Sequence, residues 1–88
     1  IYEANQYVEN NIQEMTWSNF QQLLTSDSTI KKEDFIHLQN KLGVRKSSFY
    51  LGNKTRMYNF NDKNQVMYIA DWETKKGEYK LKDIKFVQ

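Results

Sequence analysis

The 88-residue chain contains no cysteine and no proline, and it has only three glycines and one histidine. The missing cysteines remove disulfide bonds and thiolate metal sites together, so a fold of this size has to be held by packing alone. The sequence contains no phosphate-cradling glycine loop, nucleophile elbow or nucleotide-binding motif. No stretch approaches the ~18 consecutive apolar residues of a membrane span. The sequence therefore offers no motif for catalysis and none for a membrane segment.

Positive charge is missing from the first third of the chain. Residues 1–30 hold four acidic side chains and no Lys or Arg, a formal charge of −4. Residues 31–88 hold all 13 basic side chains against seven acidic ones, a formal charge of +6. This difference can steer an acidic partner towards the C-terminal half, but lysine-rich solvent faces are also how sheets stay soluble.

The apolar residues that are present follow two periods. They make up 39% of the chain, with 15% aromatic residues, which is enough for a single folded domain over residues 1–88. Before Gly43 they are mostly three or four positions apart, as on a helix face, and from Phe49 onwards mostly two apart, as on a strand. This order predicts an α+β domain, with a helical layer at 1–43 packed on an antiparallel meander at 44–88.

The helical layer is predicted to begin with two pieces. A helix from about residue 2 to 15 has one apolar stripe, formed by Ile1, Ala4, Val8, Ile12 and Met15. Thr16 suits the N-cap of a second, short helix, and the polar run 25–29 should end it. The apolar face of this second helix consists of Trp17, Phe20, Leu23 and Leu24.

A third helix is predicted over residues 31–43. It has acids in its first turn and Lys41 in its last, which suits the helix dipole. Gly43 is expected to be a left-handed C-terminal cap, with Val44 packing back on the last turn. The buried stripe should consist of Phe35, Leu38 and Leu42, with Ile36 at its margin.

Four strands are predicted at about 46–52, 55–60, 65–74 and 78–87. The short separators favour antiparallel hairpins, although the first, at 52–54, is also compatible with a bulge in one long bent strand. In the last strand, Tyr79 and Leu81 have one parity while Ile84 and Phe86 have the other. A bulge near residues 82–83 would return all four side chains to the core face of a sheet curled around the helices.

Two stretches around the third helix, Lys32-Glu33-Asp34-Phe35 and Leu42-Gly43-Val44-Arg45-Lys46-Ser47, carry a family resemblance. Over nearly its whole length the chain resembles the small cystatin-like or nuclear-transport-factor-two-like domains of bacterial lipoproteins and other exported proteins. The resemblance implies a curled four-stranded antiparallel sheet cupping the helices, an extracytoplasmic location, and membrane attachment only through a lipidated cysteine upstream. It implies no catalytic residues and no cofactor. The start at Ile1 rather than Met is expected of a trimmed or matured protein.

The third strand predicts a contact surface, because both of its faces are apolar in the middle. The face of Tyr68 and Trp72 is expected to pack on the helices, which leaves Met67 and Ile69 on the outer face, with Met57 beside them. A protein partner or a second copy of the chain would cover this outer face; alternatively, long Lys and Tyr side chains of neighbouring strands shield it. The leading prediction is a non-enzymatic, extracytoplasmic accessory or protein-binding domain.

A second hypothesis uses the basic and aromatic residues that follow the third helix. A surface combining charge with stacking, as in single-strand nucleic-acid platforms, would be formed by Arg45, Lys46, Lys54, Arg56 and Tyr58. The sequence pI of about 8.8 is below the strongly basic range of such footprints. The alternative function is a cytosolic nucleic-acid or small-ligand-binding domain.

Catalytic and metal sites find little support. His37 is one helical turn from Glu33 and Asp34, but one imidazole without a second His or a Cys makes a poor zinc site. We therefore expect a surface histidine and no bound metal. In the third strand, Asp71 and Tyr68 are three apart and on opposite faces, so they do not jointly line a cavity unless a bulge lies between them.

Overall fold

The computed structural model describes residues 1–44, 47 and 49–87. The helical layer comes first in the chain and the strands follow it, as predicted. Its elements are α1 (Tyr2–Asn11), a 3₁₀ turn (Ile12–Glu14), α2 (Trp17–Gln21) and α3 (Lys32–Val44). The strands are β1 (Phe49–Gly52), β2 (Arg56–Phe60), β3 (Val66–Lys75) and β4 (Glu78–Phe86).

The strands lie side by side in chain order, β1-β2-β3-β4, and each neighbouring pair is antiparallel. The α+β class predicted from the two apolar periods is therefore confirmed. The first separator is a hairpin turn rather than a bulge, because β1 pairs with β2 from Gly52↔Met57 to Phe49↔Phe60. The predicted residues 45, 46 and 48 of the first strand lie outside the described part of the chain.

The first helix is interrupted earlier than its apolar stripe predicts. The α-helix ends at Asn11, and Ile12 opens a single 3₁₀ turn before the backbone becomes extended at Met15. Thr16 then starts α2 with a capping box: its Oγ1 accepts from the Asn19 N–H at 3.1 Å, and Asn19 Oδ1 accepts from the Thr16 N–H at 3.3 Å. The predicted N-cap is confirmed.

The third helix has the predicted buried stripe but not the predicted end. Phe35, Leu38 and Leu42 are buried, as expected. Gly43, however, lies within the helix, and the only glycine with a positive φ among the described residues is Gly77. A Cβ at Gly43 would lie 3.5 Å from the Gln13 side chain, an ordinary contact distance, so packing against the 3₁₀ turn does not require a glycine here. Val44 is 90% exposed, so its predicted packing on the last turn is wrong.

Two bulges shape the sheet, one between β3 and β4 and one between β2 and β3. Between β3 and β4 the register changes from Asp71↔Asp83 to Trp72↔Leu81, which leaves Lys82 as the extra residue and confirms the bulge predicted there. Leu81 and Ile84 are consequently both buried, and Phe86 packs against the core. Tyr79 does not join them, because it lies at the hairpin end and remains 37% exposed.

The second bulge was not predicted. Between β2 and β3 the register changes from Asn59↔Tyr68 to Phe60↔Val66, so Met67 is the extra residue. A bulged residue loses the strict alternation of a strand and can turn towards the same side as its neighbour. This bulge determines the outcome of the predicted contact surface.

The core lies between the helical layer and one face of the sheet. Its helical part is an aromatic group in which the Phe20 and Phe35 ring centroids are 4.9 Å apart, with Trp17 5.8 Å from Phe35. The loop after α2 runs along the edge of β4, where the Leu81 N–H donates to the Leu23 carbonyl and the Thr25 N–H donates to the Leu81 carbonyl. The middle of this sheet edge is therefore already paired, which protects it from pairing with another chain.

Candidate functional site

The predicted contact surface on the outer sheet face is not assembled. Met57 pairs with Ala70 and is completely buried on the helix side, and Met67 is only 7% exposed. Both placements on the outer face are wrong. Met57 lies opposite Ala70 and therefore shares the inner face with it, not the outer face with Ile69. Met67 is the bulged residue, and the bulge turns its side chain inward. Of the three residues, only Ile69 has the intermediate exposure expected of an outer position, between Tyr58 and Lys85 on the neighbouring strands.

The outer face carries two ion pairs, and both lie beyond Ile69 in the direction of the β3–β4 hairpin. Arg56 Nε lies 2.7 Å from Asp71 Oδ1 across β2 and β3, and this carboxylate raises the pKa of the guanidinium. Lys82 Nζ lies 3.0 Å from Glu73 Oε1, and the hydrogen bond between them raises the pKa of the lysine. Paired charges of this kind favour a solvated face over an apolar contact surface.

The residues of the nucleic-acid hypothesis are not brought together as free cations. Arg45 and Lys46 lie outside the described residues. Lys54 is exposed in the β1–β2 turn, whereas the guanidinium of Arg56 is engaged by Asp71 through both Nε and Nη2. Tyr58 is half-buried beside Ile69. A phosphate would have to compete with a carboxylate for the arginine.

The metal and acid–base candidates have separate interactions among the described residues. His37 is exposed, and its ring stacks on Phe86 with the centroids 3.9 Å apart. Asp34 accepts the Lys31 N–H at 2.9 Å and so closes the start of α3. Among the described residues, no group of three His, Cys, Asp or Glu side chains is placed to hold a metal. Tyr68 is buried on the helix side of the sheet and Asp71 lies with Arg56 on the other.

A buried carboxylate that the pattern analysis did not single out connects α1 to the sheet. Glu9 is nearly inaccessible, and the Tyr68 hydroxyl donates a hydrogen bond to its Oε2. Ser47 donates to the same carboxylate twice, from its N–H at 3.1 Å and from its hydroxyl at 2.8 Å. One acidic side chain therefore satisfies three donors from two other parts of the chain, which identifies a structural tie.

One turn earlier on α1, Asn5 makes a second buried tie. Its side-chain amide donates to Asn59 Oδ1 at 2.7 Å, and the Asn59 amide donates to the Met57 carbonyl at 3.3 Å. Asn5 and Glu9 are four residues apart, beside the apolar stripe of the helix. This spacing was the available signal for a polar line facing the sheet, but on an amphipathic helix it equally suits a solvated flank.

A concave surface with an apolar lining lies along α1. Two clefts of about 330 and 500 Å³ border this helix and meet at Leu23. We call their union the α1 groove. Its helix side consists of Ile1, Glu3, Ala4, Tyr7, Asn11 and Glu14. The facing wall comes from the loop after α2 and from the β3–β4 hairpin, and it includes Leu23, Gly77, Tyr79 and Lys80.

The α1 groove has an apolar centre and exposed aromatic side chains. Ile1, Ala4 and Leu23 are partly buried and pack against the core, while Tyr7 is 53% exposed. Tyr79 stands on the opposite wall, and the groove is continued by uncharged amide side chains such as Asn19 and Gln22. Tyrosine presents a large contact area with few torsions to fix, and it is enriched in protein-binding surfaces.

Comparison with protein-family models, with curated proteins and with solved structures finds no match for the chain. The resemblance to cystatin-like and nuclear-transport-factor-two-like domains therefore stays a prediction. None of the helices in the described residues combines the length and the apolar character needed to cross a bilayer.

Proposed function

We propose that this chain is a non-enzymatic protein-binding domain and that the α1 groove is its contact surface. The observation that carries the proposal is the exposure of Tyr7 over a groove whose apolar lining includes Ile1, Ala4 and Leu23. A concave apolar surface with an aromatic side chain at its rim suits a short segment of another protein.

The character of the buried polar groups supports a binding role over a catalytic one. The Glu9 carboxylate is saturated by Tyr68 and Ser47 donors, and the Asn5 and Asn59 amides satisfy each other and the backbone. A catalytic acid or base has to reach a substrate proton, and these groups face the interior. The tie they make keeps α1 in place and so keeps one wall of the groove rigid.

We further propose that the fold belongs to the cystatin-like or nuclear-transport-factor-two-like group and that the domain acts outside the cytoplasm of a bacterium, within a lipoprotein or exported protein. The order of helices before an antiparallel meander supports this placement. The residues encoded before Ile1 test the compartment. An apolar export segment ending in a cysteine for lipidation is expected, and a cytosolic start would contradict it.

The binding role is tested by selecting peptides from a random display library on the purified chain and measuring the binders as free peptides. We expect dissociation constants in the micromolar range and amide NMR shifts that map to the α1 groove. Tyr7→Ala should weaken binding at least about tenfold, because exposed aromatic anchors carry a large share of binding energy.

The matched control is Ile36→Ala, which removes a similarly exposed apolar side chain from α3, away from the groove. Its binding should equal that of the unmodified chain. Binders whose shifts map to the outer sheet face around Ile69, or a library without any enriched binder, would contradict the proposal.

A further inference from the structure

The charges around the α1 groove define what its partner looks like. We infer, building on the function proposed above, that the segment bound in the groove belongs to another protein and is basic as well as apolar. Its apolar side chains fill the centre at Leu23, and Lys or Arg residues flank them.

The carboxylates of the groove are available to a partner. Glu3 and Glu14 are both exposed, and neither has an ion-pair partner among residues 1–44, 47 and 49–87. Glu78 adds a third carboxylate on the hairpin wall. The only lysine of the groove wall, Lys80, already donates to the Gln22 carbonyl at 2.9 Å and lies 3.7 Å from Glu78. The groove therefore presents net negative charge.

The position of these carboxylates sets the spacing of the cations. Glu3 and Glu14 are on the same side of α1 and its 3₁₀ turn, because steps of four, four and three residues connect Glu3 through Tyr7 and Asn11 to Glu14. Eleven residues at 1.5–2.0 Å each place them roughly 17 Å apart along the groove. Tyr7 and Leu23 lie along the groove between its two ends. A partner matching this order carries a basic residue, an apolar centre and a second basic residue.

The same charges argue against other ligands for this groove. Phosphate groups of nucleic acids or of anionic lipids would meet Glu3 and Glu14 without an unpaired lysine or arginine among the residues that line the groove. A second copy of the chain is the remaining source of positive charge, since Lys75 and Lys76 are exposed at the tip of the β3–β4 hairpin. Sedimentation of the purified chain distinguishes self-association from the binding of a different protein.

The peptide selection described above distinguishes the inference from the function on which it depends. Enrichment of peptides that bind in the groove tests the function, and the composition of those peptides tests the partner chemistry. We expect Lys and Arg to exceed Asp and Glu at least about threefold among the binders. Groove binders with no charge bias, or with an acidic bias, would overturn the inference and leave the proposed function standing.

A direct measurement uses one selected basic peptide and its copy with Gln at each Lys or Arg. The basic form should bind several-fold more tightly at low salt, and the advantage should shrink as salt rises, because exposed charges are screened. The double variant Glu3→Gln/Glu14→Gln should weaken the basic peptide about 3- to 10-fold and leave its Gln copy unchanged. Glu33→Gln, an exposed acid on α3, is the matched control and should change neither.

Equal loss of both peptides in the double variant would mean that the groove is damaged, and folding measured by circular dichroism identifies that case. In that event the single variant Glu14→Gln, which lies outside the α-helix, repeats the test with the basic peptide. Unchanged affinity for the basic peptide in folded variants overturns the inference. A salt-sensitive dimer in sedimentation, abolished by Lys75→Gln/Lys76→Gln, would make the occupant a second copy and overturn it as well.

Discussion

The two faces of the β-sheet differ more in polarity than the third strand alone indicates. The helix-facing side holds Met57, Tyr68, Ala70 and Trp72 together with the hydrogen-bonded Asn59. The outer side shows Ile69 between Tyr58 and Lys85, with Arg56 and Lys82 in ion pairs. The comparison teaches that one face of this sheet packs on the helices and the other faces solvent.

The difference between the two faces is tested most directly by placing a charge on each of them. Met57→Glu puts an unpaired carboxylate into the core and should cost about 5 kcal/mol of unfolding free energy, enough to prevent folding of a small domain. Ile69→Lys should cost within about 1 kcal/mol, because its ammonium group can reach water. Urea denaturation followed by circular dichroism measures both. A folded Met57→Glu chain with normal stability would refute the assignment of the inner face.

Truncation of the aromatic core tests the same face without adding charge. Trp72→Ala and Phe35→Ala should each lower the unfolding free energy by about 3–5 kcal/mol, since each leaves a large cavity. Trp72→Phe sharpens the result: the indole N–H has no hydrogen-bond partner among the described residues, so keeping a ring should retain most of the stability. If Trp72→Phe and Trp72→Ala lower the unfolding free energy by similar amounts, the expectation that the ring matters more than the indole N–H is contradicted.

The tie between α1 and the sheet predicts a smaller effect. Glu9→Ala removes the acceptor of the Tyr68 hydroxyl and of Ser47, and the resulting unsatisfied donors should cost about 2–3 kcal/mol. Glu9→Gln keeps the shape and one acceptor oxygen, so its cost should be intermediate. Glu14→Ala, an exposed acid two residues beyond Ile12, is the control and should stay within about 0.5 kcal/mol. Equal stability of Glu9→Ala and Glu14→Ala would mean that the buried tie contributes nothing.

Removal of the ion pair between Arg56 and Asp71 on the outer face should have the smallest effect on stability. Arg56→Gln and Asp71→Asn each remove half of an exposed pair, and exposed pairs are screened by solvent and salt. We expect the melting temperature to change by no more than a degree or two, and by less at high salt. A large, salt-independent drop in either variant would show that this face is less solvated than the geometry indicates.

Local patterns were sufficient for the elements and several of their ends. The three- and four-residue spacing located α1 to α3, the capping chemistry of Thr16 located the start of α2, and the change of parity after Leu81 located a bulge. Each of these signals is short-range, because a cap or a parity change concerns residues that are neighbours in the chain. The left-handed cap expected at Gly43 was wrong, because α3 continues through this glycine to Val44.

The candidate site, in contrast, could not be predicted from local patterns. Met57 and Met67 were assigned to the outer face from parity along β3, but the bulge opposite Asn59 and Phe60 reverses the direction of Met67. The alternation of side chains does not locate this bulge, because the residues around Met67 are apolar on both faces of β3 and so give no change of pattern. The α1 groove was missed because Tyr7, Leu23 and Tyr79 come from three separate parts of the chain, and no spacing connects them.

By itself, the sequence determined the α+β class, the order of helices and strands, the apolar stripe of α3 and the acidic first third of the chain. These follow from periodicity and composition, which are properties of neighbouring residues and of counts. Only the tertiary structure decided which methionines face the core, that Glu9 is a buried acceptor, and that α1 and the β3–β4 hairpin enclose a groove. The physical reason is that burial, hydrogen-bond satisfaction and concavity arise between segments far apart in the chain, where a single bulge redirects a side chain.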